Sequence, residues 1–317
     1  MESTQTHSII IYNRVDPTRT TALRNEFARV MKRRFMELLM VIRKAVLTQD
    51  VFGLQGGIIQ MNQMTVPGQG AFAFGRSSVK IEEFMRWLQE QVDKGILEVR
   101  VAQQLGRAIE KSWMDLYVYD SYKRGVMRAR QEMIKAGMDI PTIDQSGGID
   151  IVMSTPFHID RVGVLFTRIY ADLKGITDQM ASLISRILSQ GMIDGEGPAL
   201  LARKLVAAIN GAGVGNLGLT DSLGRFIPPM RRAELLARTE IIRAHHLGMI
   251  QEYRNWGIKG ITVLGEWSTA GDDRVCVRCS SLEGKIFTLD EIEPMIPLHP
   301  QCRCIALPYI EELQKYM

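Results

Sequence analysis

The sequence predicts a mainly α-helical N-terminal region followed by a small α+β C-terminal domain stapled by a Cys/His cluster. Three observations predict it. Apolar residues return at steps of three and four along several long stretches before Gly257. Beyond Gly257 that period gives way to short alternating runs bounded by turn residues. All four cysteines, and one of only five histidines, fall between residues 276 and 304 of the 317.

The chain opens with a polar stretch lacking a clear period, read as a flexible arm over 1–16. A helical N-terminal domain then spans 17–150. Pro17-Thr18-Arg19-Thr20 leads into an amphipathic helix reaching about Leu47, with Leu23, Phe27, Val30, Met31, Phe35, Leu38, Ile42 and Val46 on its apolar stripe. Residues 14–44 hold nine Lys/Arg against three acids, a local balance of +6 in a chain whose formal charge is +4. The basic character therefore belongs to this segment. Arg24, Arg29, Lys32, Arg33 and Lys44 are the candidate contact residues. Two readings stay open for them: a solvated helix face, or a surface that meets DNA phosphates or an acidic partner protein.

Residues 51–78 are rich in Gly and Gln and predict a loop. Two helices follow, over 79–92 and from Glu98 to about Ala136, broken at Gly95; Val101, Leu105, Ile109, Trp113 and Leu116 form the stripe of the second. Pro141, Gly147, Gly148 and Pro156 punctuate a linker, and the domain boundary is placed there. The second domain runs over 151–307. It begins with a long helix whose seam, Val162, Phe166, Ile169, Leu173, Ile176, Met180, Leu183 and Ile187, alternates steps of four and three. Gly197-Pro198 opens the next helix, to about Asn210. The Gly211–Gly224 loop contains Gly213-x-Gly215-x-x-Gly218, but a helix precedes it where a dinucleotide fingerprint needs a strand, so it reads as a connector. Pro228-Pro229 starts a helix to about Trp256, with His246 on its buried seam as a hydrogen-bonded core histidine. Short strands and a Cys/His knob occupy 261–307, and 308–317 is a polar tail.

No secretory signal pattern is visible at the N-terminus, and no run of eighteen apolar residues exists. The expectation is a chain folded in a cytoplasm, where thiols stay reduced, with no membrane span. That favours metal for the cysteine window, whose order is Cys276-x2-Cys279, then His299-x2-Cys302-x-Cys304. A two-residue gap lets both thiolates of the first pair face one tetrahedral ion. Cys302 and Cys304 share one face of an extended run. Cys276, Cys279, His299 and Cys302 are the first choice of ligands for a structural zinc, with Cys304 able to replace His299 or Cys302. Disulfides and packed free thiols remain as alternatives. With four protein ligands no position is open for catalysis.

Neither the zinc-deaminase pattern nor His-Glu-x-x-His occurs. Arg238, Ser268-Thr269 and Glu291-Ile292-Glu293 resemble in order the Arg … Ser-Thr-Ser … Glu-x-Glu pattern of ADP-ribosyltransferases, with the second serine missing. No catalytic residue is assigned, and the expectation is a protein that is not an enzyme.

Several elements occur together in order: Ala237-Arg238-Thr239-Glu240-Ile241, Gly257, Trp267-x-Thr269, Asp273-x-x-Cys276-x-x-Cys279, Leu282-x-Gly284, Phe287 and Pro297-x-His299-Pro300-x-Cys302-Arg303-Cys304. This set resembles the phage Mu F-like family of minor head, or head morphogenesis, proteins of tailed phages, over roughly residues 180–307. Arg238, Thr239, Glu240, Trp267 and Asp273 are its structural motif residues. The resemblance implies a minor capsid component in the head interior or at the portal vertex, assembled in the host cytoplasm. It implies a role in head assembly or in DNA packaging and delivery. The implied partners are the portal protein, the major capsid or scaffolding protein, and packaged DNA. A DNA-binding or DNA-processing factor is the alternative.

Overall fold

The computed structural model describes residues 16–54, 77–104, 107–211, 226–257 and 262–310. The predicted arm apart from Asp16, most of the loop at 51–78, the glycine-rich connector after Gly211 and most of the 308–317 tail lie outside them.

Helix α1 is Thr21–Leu47. It contains neither Gly nor Pro, and its predicted stripe is buried from Phe27 to Val46, with Leu23 half-buried. Asp16 caps the approach: its carboxylate accepts from the Thr18 amide at 3.1 Å, the Thr18 hydroxyl at 2.8 Å and the Thr21 hydroxyl at 2.6 Å. Helix α2 is Ser77–Gly95, with Phe84, Leu88 and Val92 buried.

The next stretch departs from expectation. In place of one helix from Glu98, strands β1 (Val99–Gln104) and β2 (Arg107–Ser112) pair antiparallel from Val99↔Ser112 to Gln104↔Arg107. Only then does helix α3 run, over Asp115–Lys135. Val101, Leu105 and Ile109 fit a helical step, but Val99-Arg100-Val101 also alternates with β-branched residues, and two-residue alternation won. The hairpin end is tied down locally. Trp113 Nε1 donates to the Ile96 carbonyl at 2.9 Å, and the Arg34 guanidinium lies 4.3 Å from the Trp113 ring centroid while donating to Glu98 at 3.1 Å.

A short helix α4 (Ile149–Met153) precedes helix α5, Pro156–Ile193. The heptad residues of α5 are buried except Phe166, which is half-buried; Leu165, Ile184 and Leu188 are buried beside them. The buried face is thus wider than a coiled-coil seam. Helix α6 is Pro198–Asn210, opened by Gly197-Pro198 and closed by Gly211 at φ 81°, a left-handed cap that glycine adopts freely. Helix α7 is Pro229–Gly257.

The chain divides into two compact units, both discontinuous in sequence. One comprises 26–116 and 164–237. The other comprises 1–25, 117–163 and 238–317 and carries the candidate site. In the latter unit α3 and α7 meet through glycines. A methyl group at Gly125 would collide with the His245 carbonyl, and one at Gly248 with the Tyr122 carbonyl. The Ser121 hydroxyl donates to the Ile241 carbonyl at 2.6 Å beside them.

The same unit holds a three-stranded antiparallel sheet with Val263–Ser268 as its middle strand. Strand β3 is Val263–Ser268, β4 is Ile286–Phe287 and β5 is Ile305–Ile310. Strand β3 pairs β5 from Val263↔Ile310 to Ser268↔Ile305, and β4 at Gly265↔Phe287. Two single-turn helices, α8 (Val277–Ser280) and α9 (Leu289–Ile292), lie between the strands in sequence. Thr288 and Glu291 form a capping box on α9. Trp267 is fully buried in a cluster with Ile292, Ile296, Tyr253, Ile305 and three of the cysteines. Truncating an aromatic so placed costs about 3–5 kcal/mol.

Candidate metal centre

Two short turns bring the Cys/His residues together. The first is α8. Cys276 is its N-cap, and its sulfur accepts the Cys279 amide at 3.4 Å. That hydrogen bond leads the causes that lower the Cys276 thiol below its ordinary value. The two-residue gap places Cys279 one turn on, facing inward and buried, while Cys276 is exposed. The second turn is His299–Cys302, closed by the Cys302 amide donating to the His299 carbonyl at 3.1 Å, with Gln301 at φ 63°. It delivers His299 and Cys302, and the extended backbone beyond brings Cys304 to the mouth of β5.

His299 Nδ1 donates to the Pro300 carbonyl at 2.9 Å. This fixes the tautomer and leaves the Nε2 lone pair aimed at sulfur, 3.4 Å from Cys276 and 3.3 Å from Cys279. Cys279 and Cys302 sulfurs are 3.9 Å apart. A tetrahedral zinc with ordinary bond lengths has S···N edges of about 3.6 Å and S···S edges of about 3.8 Å. These three edges are close to that size, and Cys276, Cys279 and His299 together could hold a metal ion, whereas Cys302 groups with Cys279 and Cys304 rather than with Cys276 and His299. The ligand atoms form two triads that share Cys279: one with Cys276 and His299, the other with Cys302 and Cys304. All four cysteines are free. The Cys304 thiol, hydrogen-bonded to Cys302, pulls the latter down, and that same bond, with burial, pushes Cys304 up.

A second ring of contacts holds both turns. Arg303, between the last two cysteines, donates to both carboxylate oxygens of Asp272, at 2.7 and 2.5 Å. Arg303 leads the contacts that hold the Asp272 carboxyl well below the usual carboxylate range. The Gln301 amide donates to Thr239 Oγ1 at 3.3 Å, and His246 Nε2 donates to the Ile292 carbonyl at 3.2 Å, so α7 grips the knob from below. The Thr269 amide donates to Glu283 at 2.7 Å.

The remaining sequence candidates fall in various places. Arg238 donates to Asn25, and Glu240 is buried and accepts from Arg243 at 3.0 Å. Asp273 is exposed; its neighbour Asp272 makes the contact to Arg303. Arg24 is buried and paired with Asp16. Arg29, Lys32, Arg33 and Lys44 are exposed, with Arg29 paired to Glu26 and Arg33 close to Glu37. Of the ADP-ribosyltransferase-like set, Glu291 is occupied by the Thr288 capping box, and Glu293 by Arg161 and Arg254.

Sequence reasoning missed Asp272 and the buried set around Glu252. Asp272 and Arg303 carry no distinguishing spacing, and Glu252 looks like any helix-surface acid. Among the described residues no helix is long and apolar enough to cross a membrane.

Residues 183–307 match the family model of phage Mu protein F-like proteins, as the sequence resemblance over roughly 180–307 expected. No curated protein and no solved structure matches the chain.

Proposed function

We propose that this chain is a head morphogenesis protein of a tailed phage, a minor component of the head that acts at the portal during assembly or DNA packaging and delivery. The observation that carries the reading is the family match over 183–307, whose last part contains the Cys/His cluster. In this reading Cys276, Cys279, His299 and Cys302 hold a structural zinc, and the Cys304 thiol donates to Cys302 from outside the shell. The ion supplies folding energy and cross-links the two turns. The centre is a staple, and partner contacts lie elsewhere on the molecule. Portal protein is the expected neighbour, with major capsid or scaffolding protein as further ones.

The test is cross-linking mass spectrometry of purified particles. The chain should be present and cross-linked to portal protein. Particles that lack it, or that carry it without any portal cross-link, would count against the reading.

A second reading, contact with packaged DNA, rests on α1. Lys32, Arg43 and Lys44 are exposed there and have no carboxylate partner among the described residues. Each phosphate contact adds about 0.9 to the slope of log affinity against log salt. A salt-insensitive or absent interaction with duplex DNA would remove this reading.

A further inference from the structure

A cavity of about 160 Å³ lies in the same unit as the metal centre, lined by Thr18, Arg19, Arg124, Arg128, Gln131 and His245, with Met127. One water needs only about 10–15 Å³ of such space, so a larger guest fits. Arg124, Met127, Arg128 and Gln131 sit three and four apart on α3 and so share one face. Thr18 and Arg19 come from the turn before α1, and His245 from α7.

The lining contains three guanidiniums and no carboxylate. Asp120 and Glu132 partner Arg124 and Arg128 from the same helix, each at 2.8 Å, and Arg19 has no ion-pair partner among the described residues. Among the lining residues, the buried Arg128 Nε and Nη1 and His245 Nδ1 lack hydrogen-bond partners, although Arg128 Nε lies 2.8 Å from the Glu132 carboxylate. His245 is 2% exposed. Burial, His246 and the nearby arginines keep its ring neutral, and the tautomer with the proton on Nδ1 offers a neutral N–H rather than another charge. Arg19 itself holds a left-handed backbone at φ 54°, which turns it out of the regular path of the chain. Buried donors are ordinarily matched by acceptors. Here Arg128 Nη1 and His245 Nδ1 have no acceptor among the described residues, and Arg19 has no carboxylate partner among them.

We propose that this cavity binds a phosphate group, held by the Arg19 and Arg128 guanidiniums and the His245 Nδ1–H. Forked guanidinium donors match a tetrahedral oxyanion, which accepts from several directions at once. The phosphate is either the free ion or a terminal phosphate of a nucleic acid, since both present the same oxygens. Nothing in this proposal depends on the head-assembly role, and particle incorporation is not its readout.

The experiment uses the full chain. Thermal unfolding is compared in sodium phosphate and sodium chloride at equal ionic strength, and phosphate binding is measured by titration calorimetry. Phosphate should raise Tm above the chloride value. Arg19→Gln, at an exposed position that folding tolerates, should weaken phosphate binding at least tenfold, and Arg128→Gln should do the same. Arg33→Gln, on the exposed face of α1, should leave it unchanged. Competition by a 5′-phosphorylated trinucleotide, and not by its unphosphorylated form, assigns the phosphate to a nucleic-acid end; competition by neither assigns it to the free ion. Equal Tm in the two salts, or full phosphate binding by Arg19→Gln, overturns the proposal.

Discussion

Arg303 reaches back 31 residues to clasp Asp272 with two parallel hydrogen bonds, 2.7 and 2.5 Å long. The clasp joins the Cys302–Cys304 run to the turn that leads into Cys276. It ties together the two halves of the candidate metal centre.

Replacing Asp272 with Asn should therefore weaken metal binding while leaving every candidate ligand in place. Contacts outside the ligand shell of a metal site typically change affinity by roughly 10–100-fold. Arg303→Lys keeps the charge but loses the fork, and should act in the same direction. Competition with a chromophoric chelator measures both. Unaltered zinc affinity in both variants would mean that the clasp serves stability alone.

Purified protein should carry about one zinc per chain, as a four-ligand site requires. Chelation should raise hydrogen exchange across 262–310 more than along α1 or α5. Cys276→Ser should lower zinc content and solubility together. A metal-free preparation with two disulfides and a protected C-terminal sheet would falsify the staple.

Arg130 and Glu252 form a buried ion pair, with side chains 4% and 1% exposed, and His158 Nε2 lies 3.5 Å from the other Glu252 oxygen. Arg130 Nε donates to Glu252 at 2.6 Å, and its Nη1 reaches the Pro141 carbonyl at 2.6 Å and Ser146 at 3.0 Å. Trp256 Nε1 also donates to Glu252, at 2.8 Å, and the Tyr122 hydroxyl meets His158 Nδ1 at 2.9 Å beside it. Removing one partner strands the other charge away from water. Arg130→Met or Glu252→Leu should each cost about 3–5 kcal/mol. The double variant should cost much less than their sum, because no unpaired charge remains. Urea unfolding of the three variants gives the coupling; additive losses would contradict it.

The adjacent His245 and His246 predict a pH dependence. Burial is the main cause that pushes them down, to about 3 and about 4. An unfolded histidine titrates at about 6.5. Below that pH the unfolded chain takes up protons that the folded chain refuses, so stability falls as pH drops from about 6.5 towards 4. The limiting slope is about 1.4 kcal/mol per pH unit for each histidine. His246→Gln can keep the bond to the Ile292 carbonyl and should show a shallower fall. Urea midpoints measured between pH 7 and 5 decide it, and parallel curves for the two proteins would sink the assignment.

The elements legible in the sequence are those built from local repetition. The α1 stripe, the α5 heptads, the Gly197-Pro198 start and Gly211 end of α6, and the cysteine spacing each need only neighbouring residues to define them. The Cys/His cluster was legible for the same reason, since the two-residue gaps of Cys276-x2-Cys279 and His299-x2-Cys302 are local features of the chain. The hairpin at 99–112 was not, because its residues satisfy both a helical and a two-residue period, and only packing around Trp113 and Arg34 selects between them.

By itself the sequence determined the helical character, the Cys/His cluster and the resemblance that the match over 183–307 supports. The tertiary structure decided which charges are used and where. It buried Arg24 against Asp16, chose Asp272 over Asp273 as the partner of Arg303, joined Arg130 to Glu252 across 122 residues, and gathered three arginines around one cavity. The physical reason is that an ion pair needs proximity and exclusion of water. Both are properties of packing between segments far apart in the chain, and no local pattern encodes them.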